Sequence, residues 1–116
     1  MQHLFRPGFK LERKTETRGA MRGRIVEWEK VKSLEGILDL ISGDSKEEAN
    51  RMGIDSTHIF ITDTMAIKFE DAKDHRLVYN GKAYLIDYVD NVMEMDHHLE
   101  IYLKYDGVVE NENEEE

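Results

Sequence analysis

The chain has 116 residues, 40% of them hydrophobic and 35% charged, which is enough for one modest core and too little for two. It has no cysteine, excluding a disulfide framework, a thiolate metal site and a cysteine nucleophile. A net charge of −9 argues against autonomous nucleic-acid binding, and no apolar run approaches the roughly 18 residues that span a bilayer.

The charge is unevenly divided. Residues 1–32 hold nine Lys/Arg and four Asp/Glu, whereas the remainder holds seven and twenty-one. Such a division suits head-to-tail association between copies, or docking on an oppositely charged partner. A solvated surface with an acidic tail would produce the same balance.

Residues 1–8 read as a lead-in punctuated by Pro7-Gly8, without the basic and apolar segments of a secretory signal, so a soluble, non-exported protein is expected. Phe9 to Thr17 alternates as a first strand, with Phe9, Leu11 and Arg13 on one side. Arg18 to Gly23 reads as a flexible basic connection, and Arg24 to Val31 as a second strand carrying the sole tryptophan, Trp28. Leu34 to Ser42 is open: Leu34, Ile37, Leu38 and Ile41 have helical spacing, but Ile37 to Ile41 also fits a strand closed by Ser42-Gly43. Next comes a short helix, capped by Asp44 or Ser45, with Glu47 and Glu48 in its first turn and Gly53 at its end.

Thr57 to Thr62 is β-branched and apolar, a strand. Asp63-Thr64 turns the chain, Met65 to Phe69 extends or follows the strand, and Glu70 to Asp74 is charged and loop-like. Asn80-Gly81, between two apolar-rich runs, predicts a two-residue hairpin, because a type I′ turn needs positive φ at both central positions. Tyr84, Ile86 and Tyr88 would line one face of its second strand. Asp90 to Asp96 connects to a last strand, His98 to Tyr105, with Leu99, Ile101 and Leu103 on one side. The predicted fold is mainly β: a small antiparallel β-barrel over residues 9–105, with one short helix, long loops and a disordered acidic tail from Asp106.

Chemistry is sparse. Asp96-His97-His98 with Glu94 is the one cluster suggesting a metal, but adjacent strand histidines face opposite ways and a zinc site needs three or four converging ligands. Turn and surface histidines are the better reading, as is a structural hydrogen bond for His58. Met93 and Met95 fit either an adaptable contact surface or a loop over the core edge. No nucleophile elbow or phosphate-binding glycine motif is present, so neither an enzyme nor a cofactor is expected. Arg6, Lys10, Arg13, Lys14, Arg18, Arg22 and Arg24 form the sharpest basic grouping, either facing phosphates or an acidic partner, or lying on a solvated strand and loop. A rival reading is a small β-barrel nucleic-acid binder using that strand with Tyr79, Tyr84 and Tyr88.

Trp28 on its strand, Leu40-Ile41-Ser42-Gly43-Asp44, Glu47-Glu48-Ala49, Thr57-His58 before Ile59-Phe60-Ile61, Asp74 to Ile86 around the Asn80-Gly81 turn, and Leu99-Glu100-Ile101-Tyr102-Leu103 occur in an informative order. In that order the chain resembles the phage head–tail joining family, also called head-closure or stopper proteins, from about Phe9 to Tyr105. It departs from the family at Thr62-Asp63, where an arginine is often found, and in its long acidic tail. The resemblance implies a non-enzymatic component of the virion, assembled in the host cytoplasm. It would form a ring, expected to be a dodecamer when assembled and a monomer when isolated. Its partners would be a portal or connector adaptor protein and a tail-completion protein, with packaged DNA in the channel and no membrane. Within that frame Arg18, Arg22 and Arg24 are expected to contact a partner, and Asp44, Lys46, Glu47, Glu48 and Arg51 to lie on a gating or channel loop.

Overall fold

The computed structural model describes residues 4–19, 23–41 and 56–109; the side chains of residues 17–19, 23–25 and 93 are outside that set. Six strands close into one antiparallel barrel: β1 (Arg6–Gly19), β2 (Gly23–Leu40), β3 (His58–Thr62), β4 (His75–Tyr79), β5 (Lys82–Asn91) and β6 (Leu99–Val108). Their order around the barrel is β1-β2-β3-β6-β5-β4, and closure removes the open edges that short strands would otherwise expose. The expected helix over 45–52 lies outside the described residues. Glu70 to Asp74, read as loop, belongs to a 3-10 helix over Phe69–Asp74, and a second 3-10 turn spans Val92–Glu94.

The barrel is filled by alternate residues of each strand. Phe9 and Leu11, Leu34, Phe60, Leu77, Tyr84 and Ile86, and Leu99, Ile101 and Leu103 are buried in one cluster, joined by Ile67 and Ala72. Asn80 and Gly81 have φ of 53° and 76°, as a type I′ turn demands.

One reading left open is settled and two expectations are corrected. The ambiguous stretch Leu34 to Leu40 is strand, the continuation of β2. Its alternation is masked because the inward position between Leu34 and Leu38 is Gly36, whose missing side chain leaves room for the Phe60 ring. In β5 the register skips Asp87, and this bulge puts Val89 rather than Tyr88 in the inward slot after Ile86. Finally, β6 continues past Tyr105, pairing Gly107 with Ala83 and Val108 with Lys82.

The antiparallel registers also sort the connections. One end of the barrel has the Asn80-Gly81 turn and the flanks of the 42–55 connection, where the Ile41 N–H donates to the Thr57 carbonyl at 3.0 Å. The opposite end has the outer part of the β1–β2 hairpin, the segment from Asp63 to Asp74 and the β5–β6 turn.

Candidate functional site

β1 pairs from Arg6 to Gly19 with β2 from Gly36 back to Gly23, but β1 meets β4 only over Lys10–Arg13, and β2 meets β3 only from Ile37 onward. Lys14–Gly19 and Gly23–Trp28 therefore leave the barrel as a two-stranded arm, with no third strand among the described residues. At ~3.3 Å per residue it reaches about 20 Å beyond the last β1–β4 pair.

Its root is braced by one arginine. Arg76 Nε donates to Glu12 Oε1 at 2.8 Å across the β1–β4 ladder, and its guanidinium carbon lies 4.4 Å from the centre of the Trp28 ring. Both charged side chains are largely buried, so the pair and the cation–π contact are held in place rather than loosely solvated. Farther out the basic grouping is compensated locally: Arg13 pairs with Glu29 at 3.5 Å and Lys14 with Glu16 at 3.9 Å, exposed contacts that contribute little stability. At the end of the arm the balance changes. Arg18 and Arg24 are backbone partners in the ladder, and residues 17–25 contain three arginines and no acid. Register thus brings together two of the three arginines expected at a partner contact. Arg22 lies outside the described residues, as do Asp44, Lys46, Glu47, Glu48 and Arg51.

A groove of about 800 Å³ opens at the same end of the barrel, between the Met65–Glu70 segment, β5 and the β5–β6 turn. Met65, Phe69 and Tyr88 supply apolar surface, and Phe69 packs edge-on to Tyr88 at 5.3 Å between ring centres. Its rim is acidic: Glu70, Asp90, Glu94 and Asp96, against the single cation Lys68. The turn is a defined structure, with Glu94 and Asp96 at φ of 54° and 59° and Asn91 exchanging hydrogen bonds with Asp96 at 2.8 and 3.1 Å. Among the described residues no cation forms an ion pair with Glu70, Asp90 or Glu94. The groove has no sequence motif. Its parts come from segments far apart in the chain, and the visible signal was only the excess of acids in the second half.

The Thr57-His58 pair is structural. Thr57 Oγ1 sits 2.8 Å from His58 Nδ1 and accepts the Tyr105 N–H at 2.9 Å, tying the start of β3 to β6. The His58 ring packs edge-on to Tyr84 at 5.0 Å, and this burial lowers its pKa below the ordinary 6.5; Asp39 opposes the shift and Lys82 adds to it. Burial likewise raises the Tyr84 pKa, helped by Tyr105 and Tyr79. Fully buried Ser56 donates to Asp87 Oδ2 at 2.7 Å, so the β5 bulge anchors the chain where it returns from 42–55. His98 pairs with Glu100 at 3.5 Å, and the described residues contain no group of three potential metal ligands.

The rival nucleic-acid reading loses its stacking platform. Tyr79 is stacked on Phe9 at 3.9 Å, Tyr84 is only 5% exposed, and Tyr88 is packed edge-on by Phe69 and Tyr102. These rings serve the protein's own packing and leave no row of open faces for bases.

The described residues thus form a small closed barrel with a braced arm and an acidic groove at one end. Residues 5–104 match the phage head completion proteins, and the chain belongs to that family. That family is structural and non-enzymatic in kind; membership implies a head–tail structural role in the virion and contact with other head or tail proteins. No curated protein matches the chain. No helix among the described residues is long and apolar enough to cross a membrane.

Proposed function

We propose that the protein is a non-enzymatic component of the head–tail connector, closing the DNA exit channel of the filled head and providing the platform for tail attachment. The observation that carries this reading is the family match, which runs from the first strand into the last and so covers the barrel almost entirely. In this role copies of the chain form a ring, a dodecamer when assembled and a monomer when isolated, between a portal or adaptor protein and a tail-completion protein.

The two ends of the barrel would serve different neighbours. Arg18 and Arg24, with Arg22 between them in sequence, are the basic contact to a protein partner. The 42–55 connection, with Asp44, Lys46, Glu47, Glu48 and Arg51, is the channel-side element at the other end, beside packaged DNA. The test is a phage or prophage lacking this chain. It should package DNA but lose it from the head, and should bear no tails. Infectious, DNA-retaining particles made without the protein would overturn the reading.

A further inference from the structure

We infer that the β1–β2 arm of one copy seats in the acidic groove of a second copy, so that copies join head to tail. The inference rests on the protein acting as a multi-copy structural component. Arm and groove lie at the same end of the barrel, but on opposite sides of it. The arm leaves from β1 and β2, the groove borders β5 and β6, and these pairs are three places apart in either direction around the six-stranded ring. Each copy thus presents one of each feature at one level. A contact of this kind is heterologous: the two surfaces differ, and repetition by a fixed rotation can close a ring.

The chemistry of the two surfaces is complementary. The ladder position next to its outer end pairs Arg18 with Arg24, two basic residues in a stretch that has no acid, to which an acidic partner is complementary. The groove offers Glu70, Asp90 and Glu94 without ion-pair partners among the described residues, with only Lys68 opposing them. Exposed Val26 on the arm matches exposed Met65 and Phe69 in the groove, so apolar area is covered along with the charges.

The absence of cysteine makes the test direct. Val26→Cys and Met65→Cys chains, each shown to keep the wild-type melting temperature, are supplied together to heads that lack the protein, and the assembled particles are treated with a short bismaleimide. The expected result is a between-chain product several-fold above that of Val26→Cys mixed with Tyr105→Cys, since Tyr105 is exposed at the far end of the barrel. Adding Arg18→Glu and Arg24→Glu to the arm chain should reduce the product to the control level. Glu70→Lys and Glu94→Lys in the groove chain should restore it. Equal yields for the two mixtures in assembled particles would overturn the contact. The proposed function is read separately, from the particles, and would stand.

Discussion

A methyl group added at Gly36 would lie 2.5 Å from the Phe60 ring and against the Ile61 carbonyl, where β2 turns from β1 toward β3. Neither neighbour can give way, because Phe60 is fully buried and the carbonyl belongs to the closing ladder. Gly36→Ala should therefore cost roughly 1–3 kcal/mol, seen as a lower denaturation midpoint, whereas Gly81→Ala should cost about 1–2 kcal/mol from its positive φ alone. His58 makes a pH-dependent contribution. Its folded-state pKa is depressed, so the contribution is present above the unfolded value near 6.5 and is lost as pH falls through the lower folded value. Melting temperature should drop across that window in the wild type, and the drop should be smaller in His58→Gln. Arg76 acts through its two contacts: Arg76→Met should cost about 2 kcal/mol and shift the emission of the sole tryptophan, because Trp28 loses its cation and Glu12 its partner. An unchanged emission spectrum would remove Arg76 as the brace of the arm.

At the scale of elements, the arm differs from everything else in the fold. A two-stranded ribbon with no core is marginally stable, and among the described residues this one joins the other strands only at its root. In the isolated protein, amides of Lys14–Gly19 and Gly23–Trp28 should exchange with solvent much faster than those of β5 and β6, and should become protected on assembly. Equal protection in both states would count against the arm as a contact element. The hairpin at Asn80-Gly81 and the inward rows of β6 were legible in the sequence, because turn chemistry and alternation are local properties. The arm was not. Arg18 to Gly23 reads as a flexible link since Gly19, Ala20 and Gly23 carry no strand signal, yet cross-strand pairing takes both strands to Gly19 and Gly23. Gly36 hid the inner part of β2 for the opposite reason: its role is to make room for Phe60, a residue far along the chain. The groove required the folded barrel, which alone brings Glu70, Asp90 and Glu94 together.

For the whole molecule, the barrel has unlike ends. One end presents a braced arm and an acidic groove on opposite sides; the other presents the flanks of the 42–55 connection, pinned by Ser56–Asp87 and Ile41–Thr57. Such a body can meet identical neighbours at one level and different partners above and below. In the proposed role a ring of these barrels closes the head of a phage particle. Electron cryo-microscopy of the head–tail junction in the phage that encodes the chain is the decisive measurement. A closed ring of six-stranded barrels should lie between the portal and the tail, each with its β1–β2 arm against the groove of its neighbour. A junction whose density is fully accounted for by other chains would contradict it.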